Sequence, residues 1–268
     1  RRYVNTTNDT YLLTRLTSPN ALKTNGTDAE AAFSTASAGF DYNDGVMNIF
    51  SSNNSDFHTW MFRRATGFFD VVAYDGSSSA KTVSHNLQAV PELIITKSRA
   101  NAEEWEVYAA PLGNTKTIRL NQGSTPITNS LFWNNTSPTS SVFTVGTASS
   151  TNFNGYKFIA YLFATLAGVS KVGSYSGTGS NVDVDCGFSA GARFVLIKRT
   201  DSTGDWYVYD SKRGIVAGND PYLLLNTTAA EVTSTDYIDP LSSGFTVTSS
   251  APAALNTSGG TYIFLAIA

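Results

Sequence analysis

The sequence predicts an all-β protein built from tandem β-sandwich-like repeats, each of about 100 residues. Short apolar runs separated by Gly, Ser, Thr, Asn and Asp are typical of strands joined by turns. The block from 67 to 109 matches the sequence 101 positions further on without a gap, so that Trp105 falls on Trp206. No segment has the length of an independent helix, because the two best candidates, 29–33 and 228–231, allow a single turn each.

The repeat predicts three units: a partial unit at 1–66, a first full unit at 67–167 and a second full unit at 168–268. The offset grows from 101 to 104 along the full units, where Asn152 matches Asn256. Insertions confined to loops, with strands kept in register, are what a packed β-sandwich tolerates.

The partial unit resembles the back part of a full unit. Residues 22–25 are similar to 118–121 and to 223–226, and Gly39-Phe40 matches Gly244-Phe245. The run 57–62 lies 101 positions before 158–163, and Thr10 is the counterpart of Trp206. The opening strands of a full unit have no counterpart here, so we expect the sequence to start inside a longer protein; a degenerate first copy is the alternative.

The second full unit reads as a series of short strands. Val182 and Val184 alternate with Asp183 and Asp185, which is the pattern of a strand with one buried face. The run 194–197 is continuously apolar, which favours a strand buried on both faces. The predicted strands of this unit cover 172–175, 182–185, 194–197, 206–209, 222–225, 244–247 and 262–267.

The first full unit repeats this order, so we expect the same architecture in both. The predicted strands of the first full unit include 71–74, 93–95, 105–108, 143–145 and 158–164.

Composition restricts the function. Charged residues make up 15% of the chain and the formal net charge is −3, so the sequence offers no basic surface for a phosphate backbone. We therefore expect no nucleic-acid partner. Because no run of 18 apolar residues occurs, we expect no membrane-spanning segment, and the N-terminal residues lack the apolar core of a signal peptide.

The single cysteine, Cys186, has no partner for an intrachain disulfide. Its counterpart in the first full unit is His85, which argues against a required thiol. We expect a buried, inert thiol, since free cysteine behaves as a small apolar residue.

The residues of a catalytic site do not come together in this sequence. There are two histidines. His58 has isoleucine counterparts in both full units, which favours a packing or surface role, and His85 lies in a predicted turn. No serine stands in a G-x-S-x-G turn. We expect no enzyme activity and no cofactor.

Two acidic groups were considered as metal or sugar-cleaving sites. Asp183 and Asp185 share one face of a strand, and Asp201 and Asp205 flank a turn. A calcium loop needs more oxygen ligands at fixed spacing, so a solvated turn is favoured and no metal is expected. A glycosidase needs two carboxylates across a cleft, and no acidic pair recurs in both full units.

The four tryptophans could offer stacking surfaces for a sugar. Trp105 and Trp206 are equivalent and alternate in phase with valines, which favours a core position. Trp133 has no aromatic counterpart in the second full unit. We therefore expect Trp133 to be the receptor-contact residue, exposed in a loop that the repeats do not share.

The second full unit carries a family resemblance. It rests on the runs 169–180, Gly187-Phe188, 197–200, 204–208, 255–256 and 261–268. Together these runs resemble a repeat domain of virion structural proteins in marine bacteriophages, among them tail-fibre and tail proteins.

The resemblance implies a virion protein, a tail-fibre or appendage segment that attaches to the host surface, with no catalytic residues to transfer. It implies other virion proteins as partners, a cell-surface glycan or protein as receptor, and a homo-oligomer, trimeric in this setting. A carbohydrate-binding module, a capsid-decorating protein and a depolymerase remain the alternatives. A shared fold does not fix a function, so each stays open.

Overall fold

The computed structural model describes residues 2–3, 8–32 and 57–268. Its regular structure is almost entirely antiparallel strand, which confirms the predicted all-β class. In the described ranges, helix is limited to α1 (Ser130–Trp133), α2 (Ser149–Asn152) and a 3-10 turn at Ala110–Leu112. The described residues up to 66 are called the N-terminal unit, 67–167 unit 1 and 168–268 unit 2, following the boundaries predicted from the sequence.

The N-terminal unit contains short strands. These are β1 (Arg2–Tyr3), β2 (Tyr11–Leu12), β3 (Asn20–Lys23), β4 (Ala31–Ala32) and β5 (Phe57–His58). β3 lies between β2 and β4, and β1 pairs with β5. The segment 29–33 forms no helix where it is described, as expected from its length, and Ala31 and Ala32 pair with β3. Phe33 and the Gly39-Phe40 match lie outside the described residues.

Unit 1 forms two antiparallel sheets. Its strands are β6 (Phe69–Asp75), β7 (Lys81–Ser84), β8 (Leu93–Ser98), β9 (Glu106–Ala109), β10 (Lys116–Arg119), β11 (Ile127–Thr128), β12 (Val142–Val145) and β13 (Lys157–Phe163). The large sheet has the order β11-β10-β9-β8-β13-β6, and the small sheet pairs β12 with β7.

Unit 2 has sheets of matching order. Its strands are β14 (Ser170–Ser176), β15 (Val182–Asp185), β16 (Phe194–Arg199), β17 (Trp206–Asp210), β18 (Leu223–Leu224), β19 (Ile238–Leu241), β20 (Gly244–Val247) and β21 (Thr261–Ile267). The large sheet is β14-β21-β16-β17-β18, and the small sheet is β15-β20-β19. The segment 228–231, considered as a helical turn, forms no helix.

Units 1 and 2 each enclose an apolar core between their two sheets. Alternate residues of β13, namely Phe158, Ala160 and Leu162, lie in the core of unit 1. The corresponding residues of β21, which are Tyr262, Phe264 and Ala266, lie in the core of unit 2. Two packed sheets with an apolar interior make each of the two full units a β-sandwich.

A further apolar cluster, called the central core, lies on the opposite face of both large sheets. It contains Ile159 and Tyr161 of β13, Ile263 and Leu265 of β21, and Leu22 of the N-terminal unit. The two large sheets are therefore apolar on both faces. This explains the continuous apolar runs in β8 and β16, because a strand buried on both faces has no polar side to alternate with.

Within the described ranges, no helix has the length and apolar character needed to cross a membrane.

Candidate functional site

The same pair of side-chain hydrogen bonds occurs in all three units. An asparagine accepts a hydrogen bond from a backbone N–H and donates one to the acidic residue that precedes that N–H. The sets are Asp9–Thr10–Asn25, Glu104–Trp105–Asn121 and Asp205–Trp206–Asn226, with distances from 2.6 to 3.1 Å. Each asparagine thus fixes the start of one strand against the end of its neighbour.

Two tryptophans join neighbouring units. The indole nitrogen of Trp105 donates to the carbonyl oxygen of Lys23 at 2.9 Å, and that of Trp206 donates to Arg119 at 2.8 Å. Lys23 ends β3 and Arg119 ends β10, which are matching strands of successive units. Both rings are buried in the central core, which confirms the predicted packing role.

The N-terminal unit also contacts unit 2. The Thr24 hydroxyl donates to the carbonyl oxygen of Leu225 at 2.8 Å. The indole nitrogen of Trp60 donates to Oδ2 of Asp210 at 2.8 Å, and the Trp60 ring meets Phe194 edge-on with centroids 6.1 Å apart.

A cluster of charges surrounds the Asp210 carboxylate. Nε of Arg213 donates to Asp210 at 2.6 Å, its Nη1 donates to Glu231 at 2.9 Å, and its guanidinium lies 5.5 Å from the centre of the Trp60 ring. Burial alone raises the pKa of Asp210, but the charge of Arg213 and the hydrogen bonds from Trp60 and Arg213 outweigh it and hold that pKa below its usual range. Asp210 therefore stays ionised as an anchor for Trp60.

Matching lysines lie buried in both full units. Nζ of Lys97 donates to the carbonyl oxygen of Ser98 at 2.8 Å, and Nζ of Lys198 donates to Gly123 of unit 1 at 3.1 Å and to Gly204. Burial lowers the pKa of each lysine to about 8. Both ammonium groups donate to backbone carbonyl oxygens, so we interpret the two lysines as structural cations.

Trp133 does not lie on the surface, and the expectation of an exposed receptor contact there is wrong. Its side chain is 1% exposed and packs edge-on against Tyr108 in the core of unit 1. The cause is α1, a single helical turn capped by Asn129, which turns Trp133 inward and leaves Leu131 49% exposed. So short a helix leaves no periodic pattern in the sequence from which it could be predicted.

The exposed surface nearest to that position is the loop that follows α1. Residues 134–137, with the sequence Asn-Asn-Thr-Ser, are all exposed, and Asn134 and Asn135 adopt positive φ angles. In unit 2 the corresponding connection, between β18 and β19, exposes residues 232–234, and the connection between β17 and β18 of the large sheet exposes residues 216–219. The connections between the large and small sheets are thus where the two units differ and face solvent.

The acidic candidates are engaged in local contacts. Asp183 accepts a hydrogen bond from Thr246 at 2.6 Å, and Asp185 accepts one from the backbone of Gly187 at 2.8 Å. Asp201 forms an ion pair with Arg199 at 2.8 Å. The described part of the chain contains no cluster of three or more His, Cys, Asp or Glu that could hold a metal ion.

The histidines and the cysteine also have structural surroundings. His85 is buried, and its Nε2 lies 3.2 Å from the carbonyl oxygen of Thr139. His58 is half-buried in β5, where burial, and then the charge of Arg213, lowers its pKa. Cys186 is buried as predicted, and burial raises the pKa of its thiol to about 12. A thiol with so high a pKa is a weak nucleophile.

The structure also contains an open groove on unit 2. It has a volume of about 460 Å³ and lies between the edge strands β14 and β15, beside Pro111 of unit 1. Its charged and aromatic lining residues are Lys171, Asp183, Asp185, Tyr175 and Phe264. The sequence pattern does not reveal this groove, since Gly173, one of its lining residues, has a valine counterpart in unit 1.

Two matching asparagines connect loops of the full units. Nδ2 of Asn152 donates to the carbonyl oxygens of Ser79 and Gly146, at 2.7 and 2.6 Å. Nδ2 of Asn256, its predicted counterpart, donates to Ser180 and Thr248 at 2.7 and 2.9 Å. Each asparagine thereby ties two loops together.

A family model described as "Domain of unknown function (DUF7483)" matches residues 15–268, which is almost the whole chain. No curated protein and no solved structure matches this chain.

Proposed function

The chain belongs to the DUF7483 family, and we propose that it is a non-enzymatic structural protein of a bacteriophage virion. In this proposal it forms a tail-fibre or related appendage segment that attaches the particle to its host. Its partners are other virion proteins and a glycan or protein of the host surface.

One observation carries this proposal: the units pack through a shared central core while their divergent loops face solvent. The central core takes residues from both large sheets and from Leu22, and buried indoles join each unit to the next. Burying one large apolar side chain contributes about 1.5–3 kcal/mol, so a core shared between units resists bending between them. A rigid body that presents variable loops is a scaffold suited to a binding surface, which supports a role in attachment.

Labelling of intact particles tests the assignment. An antibody against the exposed loop 134–137 should mark the tails of phage particles that carry this protein. Labelling of the head instead would favour the capsid-decorating alternative, and particles without any label would overturn the virion proposal.

Attachment is tested separately with the purified protein. It should bind host cells and compete with particle adsorption. Replacing the loop 134–137 by Gly-Ser-Gly-Ser should weaken binding without lowering the thermal midpoint. Binding that survives replacement of this loop and of the exposed segments 216–219 and 232–234 would contradict display by these connections.

Carbohydrate binding is a second candidate, which the groove on unit 2 favours. Carboxylates accept hydrogen bonds from sugar hydroxyls, and Asp183, Asp185 and Lys171 line an open space beside aromatic rings. A glycan array should then give signals that Lys171→Ala and Asp183→Asn reduce and that Lys157→Ala, an exposed change on unit 1, leaves intact. Signals unaffected by the groove variants would exclude this site, and release of free sugar from host polysaccharide would point to a depolymerase.

A further inference from the structure

Equivalent strands of the three units face the central core. In the full units the residues concerned are Ile159, Tyr161 and Phe163 of β13, with Ile263, Leu265 and Ile267 of β21. The matching positions of the N-terminal unit are those of Trp60 and Phe62, which follow β5, and Trp60 packs against the same core. The segment of the N-terminal unit that matches β13 in sequence therefore also lies against the central core.

Phe62 places the N-terminal unit between the other two. Its ring contacts Phe163 of unit 1, with centroids 5.8 Å apart, and Phe194 of unit 2, with centroids 5.4 Å apart. A residue that touches both full units at the end of their shared core lies where the two units and the N-terminal unit meet.

Two of the three interfaces between units are built alike. Where unit 1 meets the N-terminal unit, the indole of Trp105 reaches Lys23, and the backbone N–H of Glu103 donates to Thr27 at 3.0 Å. Where unit 2 meets unit 1, the indole nitrogen of Trp206 donates to the carbonyl oxygen of Arg119 at 2.8 Å. The backbone N–H of Gly204 donates to the carbonyl oxygen of Gly123 at 2.9 Å.

The third interface, between unit 2 and the N-terminal unit, uses different groups at the same place. The position that holds Trp105 and Trp206 in the full units is Thr10 here, so the indole anchor of the other interfaces is missing. Thr24 instead donates to Leu225, and the indole comes from Trp60, which binds Asp210.

From these contacts we propose that the chain is a single-chain counterpart of a three-fold trimer. Its three units close a ring around one central core, and the contact of Trp60 with Asp210 and Arg213 is the latch that closes it. This goes beyond the proposed attachment function, and it replaces a homotrimer by an internal arrangement: the chain is a monomer.

The chemistry of the latch supports its role as the closing contact. The other anchors are indoles bound to neutral carbonyl oxygens in the central core, whereas Trp60 is half-buried and binds a carboxylate that Arg213 also holds. A hydrogen bond to an ionised acceptor is stronger than a neutral one, and its loss leaves a buried charge with one donor fewer. At this interface Trp60 thus supplies the indole hydrogen bond that Trp105 and Trp206 supply at the other two.

The test combines size and local stability in the full chain. Light scattering should give the mass of one chain across the accessible concentration range. Hydrogen exchange should show that Trp60→Ala, and to a smaller extent Trp60→Phe, speeds exchange in β2 and β3 by about 10- to 100-fold. Exchange in β14 and β21 of unit 2 should stay near its wild-type rate.

Trp133→Phe is the matched control, because it removes a buried indole that makes no contact between units. It should leave exchange in β2 and β3 unchanged. A stable dimer or trimer of the wild-type chain would overturn the proposal. So would Trp60 variants whose exchange in β2 and β3 matches that of the wild type or of the Trp133→Phe control.

Discussion

Gly173 lies directly opposite Phe264 where β14 pairs with β21, and a Cβ atom at Gly173 would come within 2.7 Å of Cζ of Phe264. The corresponding pair in unit 1 is Val72 opposite Ala160. One unit thus places an aromatic ring over a glycine where the other places a valine beside an alanine. The two cores fill the same cross-strand space with opposite distributions of volume.

This relationship predicts strong coupling between the two positions. Gly173→Val alone should lower the free energy of unfolding by about 1–3 kcal/mol, because the new side chain overlaps the ring. Adding Phe264→Ala should cost less than it does in the wild-type protein, with a coupling energy on the order of 1–2 kcal/mol. Urea unfolding of the four chains measures the cycle, and strictly additive losses would contradict it.

A second prediction concerns the anchor between units 1 and 2. Trp206→Phe should destabilise the protein by roughly 2–4 kcal/mol, because it removes ring volume from the central core and the hydrogen bond to Arg119. Trp133→Phe removes similar volume from a buried site, but its indole nitrogen has no hydrogen-bond partner among the described residues. Its loss should be smaller by about 1 kcal/mol, and equal losses in urea unfolding would show that the anchor contributes nothing beyond packing.

A third prediction concerns the loop-tying asparagines. Asn256→Ala should cost on the order of 3 kcal/mol, because it leaves buried backbone groups of two loops without partners. Asn152→Ala should behave alike in unit 1. The exposed Asn154 provides the control, and Asn154→Ala should change the thermal midpoint little. Equal shifts of the thermal midpoint for Asn154→Ala and Asn256→Ala would contradict a stabilising role of the loop hydrogen bonds.

A fourth prediction follows from the buried lysines. The folded-state pKa of Lys97 and Lys198 is about 8, below the ordinary lysine value of about 10.4, so between these values the unfolded chain binds more protons than the folded chain. Stability should therefore rise from about pH 8 to pH 10, by up to about 1.4 kcal/mol per pH unit for each lysine. At still higher pH it should fall, because burial raises the pKa of Tyr74 and Tyr161 and the folded chain then holds their protons longer.

Thermal unfolding across this pH range checks the effect. Lys198→Met should remove about half of the rise, whereas Lys157→Met, at an exposed position, should leave it unchanged. A flat profile in the wild-type protein would contradict the assignment of these lysines as buried cations.

Parts of this structure could be predicted from residue patterns. The alternation of Val182 and Val184 with acidic residues predicted β15, and the continuous run at 194–197 predicted a strand buried on both faces. The pattern did not reveal what covers the second face, because contacts between distant segments leave no local periodicity. The matching tryptophans indicated that both side chains are packed. The pattern did not reveal that each indole binds a carbonyl oxygen of the preceding unit.

The candidate site was harder to predict than the fold. Trp133 lacks a counterpart, which indicated a loop, yet one helical turn and its Asn129 cap reversed the direction of the side chain. The Asp210 cluster joins residues from both ends of the chain, so neither half of the sequence shows it. The groove lies beside Gly173, where unit 2 pairs a glycine with Phe264 and unit 1 pairs Val72 with Ala160. A comparison of the two sequences shows two separate substitutions and does not show that the residues face each other.

The hydrogen bond from Thr24 to Leu225 joins residues that are 201 positions apart in the chain. At a synthesis rate of about 5–20 residues per second, roughly 10–40 s pass between the emergence of one partner and the other. During that interval unit 1 can pack against Leu22, but the part of the N-terminal unit that contacts unit 2 has left the ribosome without its partner. The N-terminal unit thus completes its contacts only after unit 2 has been made, and the nascent chain must keep the apolar surface between them from aggregating until then.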